Sequence, residues 1–147
     1  MADPPALSDV RAILSEARTI AIIGAHSSTG RPAFYVPDYL HSMGYRVLPC
    51  NPRLRTEGAE LWGERVRETV ADIDEPVDIV DVFRASDAVG LHKGEILAMK
   101  PLPKVVWLQS GIRNDPFAET LRSHGITVVQ DRCTLADHQA LSLGPVA

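Results

Sequence analysis

Residues 24–32, GAHSSTGRP, hold the chain's densest concentration of groups able to grip an anion. Gly24 permits close approach or a positive φ, Ser27, Ser28 and Thr29 carry hydroxyls, and a helix opening near Pro32 would add unpaired backbone donors. Arg31 can add a charge-assisted contact to a diphosphate or an isolated 3′-phosphate. The spacing does not reproduce the dinucleotide fingerprint G-x-G-x-x-G, because Ala25 and His26 follow Gly24 and the next glycine is Gly30. Nor does it end in the Gly-Lys-Ser/Thr of a nucleotide triphosphate loop. Hydride and phosphoryl transfer lose motif support, and the loop reads either as a phosphate cradle or as a structural turn.

Three further loops carry polar groups at the ends of apolar runs. Asn51, Pro52 and Arg53 follow the second run with no acidic residue to accept the two ribose hydroxyls of NAD, whereas Arg53 and Arg55 suit negative charge. The same residues equally suit a turn fixed by Asn51 and Pro52 with solvated arginines. Phe83 and Arg84 offer an apolar surface and a guanidinium for an adenine-bearing ligand, or else a strand-end core aromatic and an exposed arginine. Gln109, Ser110 and Gly111 add side-chain and backbone hydrogen-bonding groups.

Catalytic groupings are thinner. His26 lies beside the first loop, but neither Cys50 nor Cys133 has the spacing of a Cys–His pair, and no serine elbow is evident. Cys133 and His138 lack further ligands for zinc. Trp62 and Trp107 sit in apolar contexts without a basic aromatic series, so they read as packing residues.

These loops need a scaffold, and short apolar runs supply one. TIAII (19–23), residues 45–49, DIVDVF (78–83), KVVWL (104–108) and ITVV (126–129) read as strands. Helical spacing in residues 7–17, 33–43, 86–99 and around Phe117 and Leu121 alternates with them, Gly44 and Gly125 acting as stops. Pro37 suits a kink or an unclosed first turn. The stretch 53–74 is the least legible, with Leu61 and Trp62 available to cover a sheet edge and residues 69–73 a helical turn. The two acidic residues of DIVDVF suggest an edge strand or local hydrogen bonding. The alternation predicts a doubly wound α/β fold with a mostly parallel five-stranded sheet in the order 3-2-1-4-5. Parallel strands would gather the 24–32, 50–53, 83–86, 109–111 and 131–133 loops around one crevice. In that order Cys50 and Cys133 leave non-neighbouring strands, which favours two free thiols over a disulfide. Cys133 is then either a buried thiol or one at the crevice rim, open to a mixed disulfide.

The whole chain bounds these readings. Its 147 residues suit one domain, 1–147, and 45% hydrophobic residues with only 5% aromatics point to an aliphatic core. A net charge of -4 offers no broad cationic field, so neither nucleic acid nor an anionic membrane is an expected partner. The opening MADPPALSD lacks the apolar run of a leader, and no stretch reaches the roughly 20 apolar residues of a membrane span. A cytoplasmic protein with reduced thiols is the expectation.

The ordered set IAIIGAHSSTGRPAFYVPDYLHSMGYRVLPCNPR, VDIVDVFR, KVVWLQSGI and ITVVQDRC resembles the small bacterial CoA-binding protein family. It is similar to the CoA-binding domain of the succinyl-CoA synthetase alpha subunit, over residues 13–141. The resemblance implies a Rossmann-like fold with CoA in the crevice beyond the strand ends. It also implies ligand-facing roles for Gly24, Ser27, Ser28, Arg31 and Pro32, for Asn51 and Pro52, for Phe83 and Arg84, and for Gln109 through Gly111. Acyl-CoA ligation would require a phosphohistidine domain and a nucleotide-grasping partner beyond this region, so the resemblance implies CoA or acyl-CoA binding without independent catalysis. Two alternatives remain: a structural or partner-binding protein, such as a homodimer, that retains the fold, and a nicotinamide-dependent oxidoreductase.

Overall fold

The structure, a computed structural model, describes residues 6–146. The first five residues and Ala147, which belong to the expected leader-free opening and the expected 1–147 span, lie outside the described residues. Helix α1 (Leu7–Glu16) leads into β1 (Thr19–Ile23), α2 (Pro32–Ser42) and β2 (Arg46–Cys50). A short α3 (Pro52–Thr56) and the small hairpin β3 (Glu60–Leu61) and β4 (Glu64–Arg65) precede β5 (Ile79–Val82). Then come α4 (Lys93–Leu97), β6 (Val105–Leu108), α5 (Asp115–Arg122), β7 (Thr127–Val129) and α6 (Thr134–Ala140). No helix among the described residues is long and apolar enough to cross a membrane.

Five strands form one sheet in the order β2-β1-β5-β6-β7, with every neighbouring pair parallel. The doubly wound, Rossmann-like α/β architecture is therefore present. Counting the five sheet strands along the chain, the order is 2-1-3-4-5, which corrects the expected 3-2-1-4-5. The reason lies in the stretch between β2 and β5. Arg67 donates its backbone N–H to Pro49 O and accepts from Asn51 N, so an irregular segment occupies the outer edge of β2 where a third strand was expected. Leu61 and Trp62 pack against the adjoining core, and the covered edge has no open ladder to offer another strand. The chain then crosses back, and β5 pairs with the free side of β1.

Alternation along each strand divides the core into two layers. Ala21, Ile23, Leu48, Val80, Val82, Val106 and Leu108 face α4 and α5 together with Ile96, Phe117 and Leu121. Ile20, Ile22, Val47, Ile79 and Trp107 face α1 and α2 with Val10, Leu14, Val36 and Leu40. Tyr45 is buried in the second layer and its hydroxyl donates to Leu14 O, tying α1 to the start of β2. Both tryptophans are packing residues: Trp107 is buried with Nε1 donating to Arg132 O at 2.7 Å, and Trp62 stacks obliquely on Phe34.

Several elements depart from their expected extent. Pro37 lies inside α2, and the 86–99 helix is only a 3-10 turn at Val89–His92 followed by α4, in keeping with the helix cost of Gly90 and Gly94. The turn expected at 69–73 is a 3-10 helix at Val70–Asp72. Helix α6 was not anticipated, because only Thr134 and His138 of its seven residues are fully buried and both are polar.

The two acids of DIVDVF are solved in opposite ways. Burial alone would raise the Asp78 carboxyl, but the N–H groups of Arg18 and Thr19 donate to it at 2.8 and 3.0 Å and, with Lys104, hold it below its usual range. Asp81 lies in mid-strand at the centre of the sheet, which overturns the edge reading of β5 and leaves local hydrogen bonding as the explanation. Its carboxyl is wholly buried, and burial pushes it up to about 7 despite hydrogen bonds from Gln109 and Thr134. A carboxyl raised on folding binds a proton in the native state over a range where the unfolded chain has lost it, so its contribution to stability falls as pH rises. Relative to Asp81→Asn, the wild-type protein should lose stability between about pH 4 and 7, at up to about 1.4 kcal/mol per pH unit, and the difference should level off above pH 8. Urea denaturation of both proteins across that range checks the slope.

Candidate ligand-binding cleft

The sheet reverses direction at β1: the chain steps from β1 to β2 on one side, then returns to place β5 on the other. Ligand crevices of doubly wound sheets open beyond the carboxyl ends of the strands at such a point. Here the point falls between Gly24 and Phe83, whereas the expected order would have set Gln109 beside the first loop. Gly24 has φ +84°, and a Cβ built on it would lie 2.7 Å from Phe83 O. Glycine is required on both counts.

Hydrogen bonds fix the loops on either side. Gly24 and Ala25 both donate to Cys50 O, at 3.1 and 3.2 Å. Asn51 donates from Nδ2 to Ala25 O at 2.8 Å, while its Oδ1 accepts from the N–H groups of Arg53 and Leu54 and caps α3. The turn reading of Asn51 is thus realised, and the same clamp joins the 24–32 loop to the start of α3. Further along, His26 Nδ1 accepts from Ser28 N at 3.0 Å and Arg31 N donates to Ser28 O. The N–H groups of Ser27, Thr29 and Gly30 make no backbone hydrogen bond among the described residues.

A cavity of about 450 Å³ opens over these loops, lined by Gly24, Arg31, Pro32, Asn51, Phe83, Arg84 and Gln109. The strand order separates Gln109 from β1 by one strand, yet the cleft reunites them. A second cavity of about 310 Å³ shares Gly24, Asn51 and Arg84 and adds Pro52. Ser27, Ser28 and Gly111 line neither cavity. His26, Ala85, Ser110 and Ile112 line the first cavity and His92 and Glu95 the second; the last two lie outside every loop that the sequence pattern points to. A larger cavity of about 530 Å³ lies along α3 and the β3–β4 hairpin, off the strand ends, touching the second at Glu68 and Thr69.

Arg84 is aimed by a relay. Its Nε donates to His92 Nε2 at 3.1 Å, so the His92 ring proton sits on Nδ1, 3.0 Å from Glu95 Oε1. Arg31 forms no salt bridge among the described residues and is exposed at the N-cap of α2. The first cavity therefore has two guanidinium groups, an apolar wall at Phe83 and a polar end at Gln109. No three His, Cys, Asp or Glu side chains gather as a metal site among the described residues. Both cysteines are free; burial pushes the Cys50 thiol up to about 12, and Cys133 is half-buried and lines neither cavity, so the rim reading of Cys133 is not supported.

Fold and cleft together define a doubly wound α/β domain with a cleft beyond its strand ends. The chain belongs to the CoA binding domain family, whose model matches residues 18–139. Membership supports binding of CoA or an acyl-CoA in general. The chain is 29% identical to Bacillus subtilis (strain 168) YneT over 134 residues, which cover 91% of this chain and 95% of that one. It is similar in structure to the Thermus thermophilus protein cell-free ID.343, with a TM-score of 0.87, 50% identity, and 93% and 99% of the two chains covered. A hypothetical protein from Pyrococcus horikoshii OT3 superposes with a TM-score of 0.85 at 28% identity, covering 97% and 98%.

Gly24→Ala should destabilise the protein by about 2–4 kcal/mol, from the left-handed backbone and the clash with Phe83 O together. Gly30→Ala, where a Cβ meets nothing, should cost less than about 0.5 kcal/mol. Chemical denaturation of the two variants tests whether close approach or loop glycine content governs this site.

Proposed function

We propose that the chain binds CoA or an acyl-CoA in the cleft at the strand ends and performs no catalysis on its own. The observation that carries this reading is the convergence of the family match with one cavity that joins Gly24, Arg31, Pro32, Asn51, Phe83, Arg84 and Gln109. The diphosphate lies against the 24–32 loop, where Arg31 and uncommitted backbone N–H groups neutralise charge. Ser27 and Ser28 contribute through this loop from its exposed side. Asn51 and Pro52 shape the floor beneath the ribose, and Arg53 stands beside it for a phosphorylated ribose. Phe83 supplies the apolar wall, Arg84 a second cation, and Gln109 with Ser110 the far polar end, behind which Gly111 shapes the loop. A free buried thiol at Cys50 fits action in the cytoplasm.

Calorimetric titration with CoA, dephospho-CoA and acetyl-CoA tests the assignment. Binding of CoA with a Kd below about 1 mM is expected, and no heat at concentrations well above that rejects CoA as the ligand. Arg31→Ala should weaken CoA roughly tenfold while leaving the melting temperature within a degree or two, since the side chain is exposed. Unchanged affinity in a folded variant would remove Arg31 from the site.

A further inference from the structure

Gln109 is only 5% exposed, yet it lines the cleft, and its amide is held from below by β5 and α6. Nε2 donates to Asp81 Oδ1 at 2.6 Å and to Thr134 Oγ1 at 2.9 Å. The Thr134 hydroxyl donates in turn to Asp81 Oδ2 at 3.1 Å. Asp81 and Thr134 are both fully buried. An amide nitrogen carries two protons, and both are consumed in this triangle. The reversed amide would set Oε1 against a carboxylate oxygen, two acceptors face to face in a dry interior, which costs at least the desolvation of an unpaired polar group. Once Asp81 is ionised, its carboxylate therefore chooses the amide's orientation, and Oε1 is the atom left for the cleft.

We propose that Asp81 is a positioning residue that makes Gln109 a hydrogen-bond acceptor, so that the cleft selects at this point a ligand group carrying an N–H or O–H. The inference rests on the CoA reading and deepens it. The pantetheine arm of CoA offers two secondary amide N–H groups and a hydroxyl, whereas an ionised phosphate offers only acceptors. An acceptor at Gln109 and guanidinium groups at Arg31 and Arg84 thus give the cleft a polarity: phosphates toward the arginines, pantetheine toward Gln109. Neither partner of the amide needs to touch the ligand.

A double-mutant cycle on CoA affinity at pH 8, where Asp81 is ionised, separates positioning from bulk structure. Gln109→Leu should weaken CoA roughly fivefold and leave adenosine 3′,5′-bisphosphate, which lacks the pantetheine arm, within twofold. Asp81→Asn should weaken CoA by a similar factor in the wild-type background and have no further effect once Gln109 is Leu. Additive losses would overturn the positioning role, and a parallel loss for the bisphosphate would overturn the polarity. If Asp81→Asn fails to fold, Thr134→Val takes its place in the cycle. Side-chain amide NMR of the free protein at pH 8, above the point where Asp81 ionises, gives a ligand-independent check: both Gln109 Nε2 protons should exchange slowly. Rapid exchange of either proton overturns the assignment even in a protein that binds CoA. Slow exchange in a protein that binds no CoA would overturn the ligand reading while upholding Asp81 as the residue that orients the amide.

Discussion

Gly24 passes beneath the Phe83 carbonyl with no room for a side-chain carbon, and this close approach sets how β1 and β5 end side by side. Once the approach is made, the Phe83 N–H bonds Ile23 O and the two strand-end loops diverge from one point. Every wall of the cleft follows from that divergence. The 24–32 loop folds toward Cys50 and Asn51, while the loop after Phe83 folds toward His92 and Gln109. A residue with a Cβ at position 24 would push the strands apart at the place where the sheet changes direction, so packing and site geometry share a single requirement.

The second constraint is polar and sits one strand further on. A carboxyl at the centre of a five-stranded sheet would cost several kcal/mol if left unpartnered. Thr134 and Gln109 meet that cost from two other elements. This ties α6 to the sheet through Thr134, while Leu135 and Leu141 pack against the α1–α2 layer and His138 meets the Tyr39 hydroxyl, so a seven-residue helix with a buried His138 belongs to the fold. Arg132 holds the approach to α6 through two bonds to Asp137, at 2.7 and 2.9 Å, and its carbonyl accepts from Trp107. The polar end of the cleft at Gln109 is therefore part of the same hydrogen-bonded unit as the last helix.

Much of this was legible in the residues. TIAII and KVVWL announce buried parallel strands because their apolar runs are too short for helices and are followed at once by loop residues. The 24–32, Asn51, Phe83 and Gln109 loops each follow an apolar run in the sequence, and the structure brings residues of all four to one cleft. Strand order was not legible, because it turned on how 53–74 uses backbone groups: the pairing of Arg67 with β2 leaves no trace in side-chain pattern. The same blindness hid α6, whose inward face is Thr134 and His138 rather than a run of leucines.

Within the site, residue type disclosed capacity but not direction. Asn51 can cap a helix or meet a ligand, and only the bond from its Nδ2 to Ala25 O shows that its amide is spent largely on joining two loops. Gln109 carries both a donor and an acceptor, so its sequence identity leaves open which one faces a ligand. The answer is held by Asp81, 28 positions earlier, and Thr134, 25 positions later. An acid inside an otherwise apolar strand was the one visible sign that such a partner had to exist. A buried carboxyl must recruit donors, and the donor it recruits at the polar end of the cleft loses its freedom to offer those protons elsewhere.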